Sequence, residues 1–188
     1  PASGEPLGRI LSDGTITTWP SRKEIKSSNL FNGNELVWVE DDLDAYIIHV
    51  NGSARLRMDD GAFMYIGYAG KTDREYTGLG QSVMDAGLLS PDTFNLRAIR
   101  RLYDKDPESI NALIQMNDSF VFFREYDGEN WPAGSLGVPV TRERSVATDK
   151  KIFPRGGVVL VDTIINTLTG EKKQFTQFMS DQDTGGAI

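Results

Sequence analysis

The sequence contains no cysteine and only one histidine, His49. Without thiols, the chain can form neither a disulfide nor a thiolate zinc site, and it has no cysteine nucleophile. A single imidazole also argues against a histidine-rich metal site and against a complete Ser-His-Asp triad. Any chemistry in this chain should therefore rest on carboxylates, hydroxyls, lysines and backbone amides.

Long apolar runs and an excess of basic charge are also missing. No apolar run approaches the roughly 20 residues that cross a bilayer. Aspartate and glutamate total 27 against 20 lysines and arginines, which gives a net charge of −7. This acidic balance argues against general nucleic-acid binding and against attachment to anionic lipid by charge, because both need a basic face. With 188 residues, 39% of them hydrophobic, the chain can build one ordinary domain or two small ones.

The two ends of the sequence suggest a piece of a longer protein. The first residues lack the basic start and the apolar stretch of a signal peptide. Residues 183–188 end on Gly-Gly-Ala-Ile, without a terminal helix or a polar tail. We therefore expect a fragment of a longer protein.

Hydrophobic periodicity predicts strands, then helices, then strands, which is the order of an α+β protein with a β-rich end. The hairpin prediction depends on Asp60-Gly61 between two β-prone runs, and the first helix on a capping box of Ser21 and Glu24. The predicted strands and hairpin cover residues 15–19, 35–39, 46–50, 54–68, 119–124, 158–161 and 173–179. The predicted helices cover 22–28 and 78–87, and two more begin at Ser90-Pro91 and at Asp106-Pro107.

The tripeptide Asp183-Thr184-Gly185 is the most suggestive local motif. Aspartic proteases use such aspartates in pairs that share one proton, so a protease with this single copy would have to be a dimer. Asp149 alone is typical of a turn carboxylate. If Asp149 and Asp183 meet in the fold, their repulsion raises at least one pKa and makes a general acid available. His49 lies in the predicted 46–50 strand, where a partly buried, hydrogen-bonded imidazole is favoured over a catalytic base.

Eight segments follow one another in the order in which a known family has them. They are 21–25 (SRKEI), 36–38 (LVW), 50–53 (VNGS), 67–71 (GYAGK), 116–123 (MNDSFVFF), 137–141 (GVPVT), 144–149 (RSVATD) and 183–188 (DTGGAI). From about residue 20 to its end, the chain resembles the membrane-bound lytic murein transglycosylase A family. Two positions depart from the family's usual pattern: Asn51 stands where glutamine is usual, and Ala54 stands where glycine usually follows the serine.

The resemblance implies a double-psi β-barrel with a smaller β-rich domain inserted into it and a glycan-binding groove between the two. The implied division is 1–34 for an N-terminal part of the barrel domain, 35–117 for the inserted domain, and 118–188 for the rest of the barrel. This last part is named for three aspartates, of which Asp149 and Asp183 resemble the first two. The third, the family's principal acid/base, follows the Gly-Gly-Ala-Ile segment in the family, so this chain is expected to be inactive by itself.

The resemblance also implies a reaction. Lytic transglycosylases cleave the β-1,4 bond between N-acetylmuramic acid and N-acetylglucosamine in peptidoglycan and leave a 1,6-anhydromuramic end. The C6 hydroxyl of the sugar is the nucleophile, so one carboxyl group can serve as acid and then as base, and no metal or cofactor is needed. The resemblance further implies that Asp183 orients and polarises the site and that Asp149 supports it. The implied glycan contacts are Gly52, Ser53, Tyr68, Lys71, Gly185 and Gly186.

The implied setting is the periplasm, with the parent protein held at the outer membrane by a lipid anchor that would lie upstream. The implied partner is the peptidoglycan glycan strand, with no nucleic acid, and the protein is expected to be a monomer. One alternative stays open beside the enzyme. Double-psi barrels also occur in proteins that bind wall polysaccharide without cleaving it, so the chain could be a non-catalytic polysaccharide-binding module.

Overall fold

The computed structural model describes residues 8–28, 30–166 and 171–185. The chain is mixed α and β, as predicted, and it divides between Glu125 and Tyr126 into two compact units. The described strands form one two-stranded and two three-stranded sheets, and none of these sheets closes on itself. Within the same ranges, no helix combines the length and the apolar character needed to cross a membrane.

The first unit begins with a short ribbon and a capped helix. Strands β1 (Arg9–Ile10) and β2 (Ile16–Thr17) pair antiparallel, and helix α1 (Arg22–Ser27) follows. The predicted capping box is confirmed, because the Ser21 side chain accepts the Glu24 N–H and the Glu24 carboxylate accepts the Ser21 N–H at 2.7 Å. Two backbone donors at the start of α1 are thereby satisfied.

The strand predicted at 46–50 is wrong, because this segment lies inside helix α2 (Asp42–Asn51). The Asp41 side chain caps the helix by accepting the Asp44 N–H at 2.8 Å. Gly52 ends it in the left-handed region, with φ of 72°, a conformation that glycine adopts without a steric cost. Leu43 and Tyr46 lie at helical spacing and are both buried, so the apolar run packs as a helix face.

The predicted hairpin is confirmed. Strands β3 (Ser53–Arg57) and β4 (Phe63–Lys71) pair antiparallel, with Ser53 opposite Gly67 and Arg57 opposite Phe63. Strand β5 (Val121–Tyr126) completes the sheet, in the order β3-β4-β5. β3 is therefore an edge strand, and β4 is the central one.

The strand predicted at 35–39 is wrong as well, because these residues form no regular element. None of the described strands pairs with this alternating segment, and a strand needs such a partner for its backbone hydrogen bonds. The side chain of Trp38 is 82% exposed.

Three helices build the core of the first unit together with α2. They are α3 (Leu79–Asp85), α4 (Leu96–Lys105) and α5 (Pro107–Ile114). The start of α5 was predicted correctly, with Asp106 as its cap, but α4 begins at Leu96 and not near Pro91. The core consists of Leu43, Tyr46, Leu79, Val83, Ile99, Tyr103, Ile110 and Ile114.

His49 on α2 is partly buried and hydrogen-bonded, as predicted, although it lies on a helix and not on a strand. Its Nδ1 accepts the Val121 N–H at 3.2 Å, and its ring meets the rings of Phe120 and Phe123 at centroid distances of 4.6 and 5.3 Å. Burial, aided by the positive charge of Arg22, lowers the pKa of His49 to about 3. The imidazole is therefore neutral at physiological pH.

We expect the single histidine resonance in a proton NMR spectrum of the folded protein to stay unshifted from pH 8 to about pH 5. Because the folded-state pKa of His49 is lowered, its contribution to stability is complete above the unfolded value of about 6.5. Below that pH, the unfolded state takes up the proton first. The free energy of unfolding then falls by up to about 1.4 kcal/mol per pH unit as the pH approaches 3. A titration midpoint near 6.5 in the folded protein would contradict the burial of His49.

The second unit contains the other sheet. Strands β6 (Ser145–Ala147), β7 (Val158–Asn166) and β8 (Lys172–Asp183) form it in the order β6-β8-β7. β7 and β8 pair antiparallel and extend beyond the predicted strands, whereas β6 runs parallel to β8. The parallel pairing brings the C-terminal ends of β6 and β8 to the same edge of the sheet.

Candidate active site

The candidate aspartates lie at the shared end of β6 and β8. Asp183 is the last residue of β8 and pairs with Ala147, the last residue of β6. The Thr148 N–H donates to the Asp183 carbonyl oxygen at 3.2 Å, and the Thr184 hydroxyl donates to the Thr148 carbonyl oxygen at 3.0 Å. The backbone next to Asp149 is thus bonded directly to the backbone of Asp183.

A loop that folds over the end of β8 orients the Asp183 side chain. The Ser135 N–H donates to Asp183 Oδ1 at 3.0 Å. The loop closes on itself where the Val140 N–H donates to the Pro132 carbonyl oxygen at 2.8 Å. It also lies against β8, because the Leu136 N–H reaches the Gln182 carbonyl oxygen at 3.4 Å. One carboxylate oxygen of Asp183 is therefore fixed by a backbone donor, as a positioned catalytic group requires.

Asp149 begins a tight turn. Its Oδ1 accepts the Lys151 N–H at 2.8 Å, and its carbonyl oxygen accepts the N–H groups of Ile152 and Phe153 at 3.0 and 2.9 Å. The side chain is half-buried. These contacts are those of the turn carboxylate that the sequence indicated, and they leave Asp149 at the edge where β6 and β8 end.

A buried ion pair between Lys150 and Asp181, which the sequence did not predict, lies beneath this edge. The Asp181 side chain is 1% exposed, and its carboxylate accepts hydrogen bonds from the Lys150 ammonium and, at 2.8 Å, from the Thr148 hydroxyl. Burial acts to raise the pKa of Asp181, but the hydrogen bonds from Lys150 and Thr148 outweigh it, so this pKa lies below its usual value. Lys150 follows Asp149 and Asp181 lies two residues before Asp183, so the pair ties together the segments that hold both candidate aspartates.

The loop over β8 can be tested at Gly134. A Cβ at this position would lie 2.3 Å from the Gln182 carbonyl oxygen and 2.9 Å from Val140 Cγ1. We expect Gly134→Ala to push the loop away from β8 and to lower the free energy of unfolding by about 1–3 kcal/mol, the usual cost of overpacking. Hydrogen–deuterium exchange of the Ser135 amide should become faster, because its bond to Asp183 is lost.

Gly157→Ala is the matched control for this substitution. The nearest atom to its added Cβ would be a carbonyl oxygen at 3.4 Å, which is ordinary contact. Equal protection of the Ser135 amide in both variants would show that the loop does not depend on the absence of a side chain at Gly134.

The predicted glycan contacts in the first unit lie around one end of the hairpin. Gly52 precedes β3, and a Cβ on it would lie 3.9 Å from Cβ of Tyr68. Burial raises the pKa of Tyr68 above its usual value. Because side chains alternate along a strand, Tyr68 and Lys71 lie on opposite faces of β4. Ser53 is paired with Gly67 and so shares the Lys71 face.

The remaining predicted site residues are two glycines near the end of the chain. Gly185 is exposed and follows the Thr184 that bonds to Thr148. Gly186 lies outside the described residues. Within the described ranges, no three histidine, aspartate or glutamate side chains come together as a possible metal site.

Comparison with known protein families identifies the family to which this chain belongs. The profile of the MltA specific insert domain matches residues 3–124, and that of the 3D domain matches residues 144–188. The chain belongs to the membrane-bound lytic murein transglycosylase A (MltA) family. The resemblance inferred from the eight sequence segments is thereby confirmed.

Several members of the MltA family are similar to this chain in sequence. Membrane-bound lytic murein transglycosylase A of Vibrio cholerae serotype O1 is 32% identical over 174 residues, which cover 90% of this chain and 47% of that protein. The Escherichia coli K12 protein of the same name is 30% identical over 173 residues, with the same coverage of 90% and 47%. The chain therefore spans about half the length of these relatives.

Solved structures of MltA proteins are similar in fold. A membrane-bound lytic murein transglycosylase from Agrobacterium tumefaciens superposes with a TM-score of 0.86 at 30% identity, over 96% of this chain and 50% of that one. Escherichia coli MltA with bound chitohexaose superposes with a TM-score of 0.81 at 27% identity, over 100% of this chain and 56% of that one.

Proposed function

We propose that the protein containing this chain is a lytic transglycosylase that cleaves the β-1,4 bond between N-acetylmuramic acid and N-acetylglucosamine in peptidoglycan. The observation that carries the proposal is the Asp183 carboxylate, held by the Ser135 N–H at 3.0 Å at the end of β8. A carboxylate fixed by a backbone donor at a strand end can act on a substrate without first being reoriented. Membership of the MltA family supplies the reaction class.

The proposed reaction needs only the sugar and carboxyl groups. A carboxylic acid protonates the glycosidic oxygen as the C1–O4 bond breaks, and the C6 hydroxyl of the muramic acid attacks C1. The carboxylate just formed takes the C6 hydroxyl proton, so the carboxyl group is regenerated and no water is consumed. In this scheme the acid and base is the third of the aspartates for which the domain is named. Asp183 orients and polarises the site, and Asp149 supports it.

The glycan contacts belong to the same proposal. Ser53 and Lys71 share one face of the hairpin, and Gly52 and Tyr68 lie at its end. Gly185 and Gly186 would let the backbone approach a sugar closely. We further propose that residues 118–188 form part of a double-psi β-barrel, with 1–34 belonging to that domain and 35–117 inserted into it. A monomer at the periplasmic side of the outer membrane, tethered by lipid, is the corresponding setting.

We expect Asp183→Asn to lower the release of soluble fragments from purified peptidoglycan sacculi by about 100-fold or more, because misplacing a reacting group by about 1 Å can cost that much. The assay uses the native gene product that contains residues 1–188. Asp149→Asn should have a smaller effect in the same direction, since Asp149 only supports the site. Binding to sacculi, measured by co-sedimentation, should be retained in both variants.

Asp162→Asn is the control, because Asp162 is an exposed carboxylate on β7 whose Oδ1 accepts hydrogen bonds from the side chains of Gln174 and Thr176. Wild-type release by Asp183→Asn would exclude Asp183 from the active site. No release by any form, with binding retained, would favour the non-catalytic polysaccharide-binding module.

A further inference from the structure

One face of the β3–β4 hairpin combines cations with aromatic rings. Residues paired directly across an antiparallel ladder project to the same face of the sheet, and every second residue along a strand joins them. Arg55 is paired with Tyr65 and Arg57 with Phe63, and Lys71 follows at an even spacing along β4. The hairpin face, as we name it, consists of Ser53, Arg55, Arg57, Phe63, Tyr65, Gly67, Ala69 and Lys71.

The hairpin face is open to solvent around Arg55, Arg57 and Phe63. Its opposite side carries Ile66, which is 3% exposed, and is continued by Thr72, which is 0% exposed. On the hairpin face, by contrast, Arg55 and Arg57 are exposed and Phe63 is 52% exposed. The Arg55 guanidinium lies 4.9 Å from the centre of the Phe63 ring, a cation–π distance that holds the arginine against the sheet.

Among the residues that the structure describes, no carboxylate pairs with the cations of the hairpin face. Among the ion pairs between described residues, none involves Arg55, Arg57 or Lys71, whereas Arg100 on α4 binds both Asp41 and Asp44. Asp60 in the hairpin turn accepts the Ala62 N–H at 2.9 Å instead. In a chain with a net charge of −7, this face gathers positive charge, which attracts anionic groups.

We propose that the hairpin face binds the carboxylates of the stem peptides that peptidoglycan glycan strands carry. The inference rests on the proposed function, in which Ser53 and Lys71 contact the sugar. From Ser53 to Arg57 the edge strand advances by about 13 Å, with an arginine at every second residue. A short peptide that leaves a muramic acid at the Ser53 end would run along β3, where its carboxylates meet Arg55 and then Arg57.

The test compares glycan strands with and without their stem peptides. Removal of the peptide leaves the lactyl carboxylate of each muramic acid on the stripped strand, so a preference for the peptide-bearing strand reports on the carboxylates of the peptide. Glycan strands are freed from cross-links by an endopeptidase, end-labelled, and either left with their stem peptides or stripped by an amidase that cuts after the muramic acid. Fluorescence anisotropy then gives the Kd of each ligand for the Asp183→Asn protein, in which turnover is expected to be blocked. We expect the peptide-bearing strand to bind about fivefold more tightly, which is what two solvent-exposed ion pairs provide, and this ratio to shrink at 0.5 M salt.

Three double variants decide the outcome. Arg55→Gln/Arg57→Gln should bring the Kd ratio to about one, and Arg55→Lys/Arg57→Lys should restore most of it. Lys23→Gln/Arg97→Gln removes the same charge from exposed positions on α1 and α4 and should leave the ratio unchanged. A ratio of one in the Asp183→Asn protein with both arginines intact would overturn the inference and leave these arginines as protection of an edge strand against pairing. Loss of the ratio in the Lys23/Arg97 control would overturn it too, because net charge alone would then explain the preference.

Failure of the proposed function gives a different result. If no soluble fragments are released from sacculi but the Kd ratio is about five, the transglycosylase proposal fails and peptide recognition stands. If fragments are released and the Kd ratio is one, the transglycosylase proposal is supported, but the hairpin face does not bind the stem peptide.

Discussion

Replacing Lys150 with methionine should lower the free energy of unfolding of the second unit by about 3 kcal/mol. The Asp181 side chain, 1% exposed, would keep only the Thr148 hydroxyl as a side-chain partner. Removing one member of a buried pair leaves an uncompensated charge in a place that water does not reach. The Lys150 side chain is itself 19% exposed, so the expected cost is at the lower end for buried pairs.

The effect of Lys150→Met should depend on pH. In the wild type the pKa of Asp181 is lowered, so the stability from the pair is present above the unfolded value of about 3.9 and is lost as the pH falls through the lower folded value. Without Lys150, burial raises that pKa instead. The difference between variant and wild type should therefore be largest near neutral pH and should shrink toward pH 4, as Asp181 is protonated.

Hydrogen–deuterium exchange on peptides from β8 measures this loss of stability. Lys151→Met is the matched control, because Lys151 is the exposed neighbour and forms none of the ion pairs between described residues. The double variant Lys150→Met/Asp181→Leu should recover much of the stability, since an apolar pair often replaces a buried ion pair without loss. Equal protection in Lys150→Met and Lys151→Met would mean that the pair does not hold this edge of the sheet together.

Leu43→Ala should lower the free energy of unfolding of the first unit by about 3 kcal/mol. Leu43 on α2 is 0% exposed and belongs to the core that α2 shares with α3, α4 and α5. Truncation removes apolar burial and leaves a cavity that four packed helices fill only in part. Urea unfolding followed by far-ultraviolet circular dichroism reports the change, because these helices give most of the signal.

Leu96→Ala is the control for the core substitution. Leu96 is 57% exposed, so its loss should change the free energy of unfolding by less than about 0.5 kcal/mol. A similar effect at both leucines would contradict the assignment of Leu43 to a buried helix face. It would also reopen the interpretation of residues 46–50 as a strand.

Local signals predicted the parts of the fold that depend on local contacts. The capping box of Ser21 and Glu24 and the turn at Asp60-Gly61 each act within a few residues, and both are confirmed. The 46–50 run failed because a short apolar run fits a buried strand as well as one side of a helix. The caps at Asp41 and Gly52 distinguish the two, and both residues were present in the sequence.

The candidate site was predictable only where a family resemblance reached it. The contact of the Ser135 N–H with Asp183 spans 48 residues along the chain, and the contact of the Thr148 hydroxyl with Asp181 spans 33. Such pairings follow from the register of β6 on β8 and of the loop on β8, which no local pattern encodes. One signal was present in the sequence. Asp181 lies at an even spacing from Phe175 and Met179, so the three side chains share the inward face of β8, and a carboxylate on that face needs a partner.

Mass spectrometry of the soluble muropeptides released from peptidoglycan sacculi tests the central proposal most directly. We expect products that end in 1,6-anhydromuramic acid and are lighter by one water than hydrolysis products, and we expect them to disappear with Asp183→Asn. Products with a free reducing end would instead mean that water is the nucleophile, and they would contradict a transglycosylase that uses the C6 hydroxyl of its own substrate.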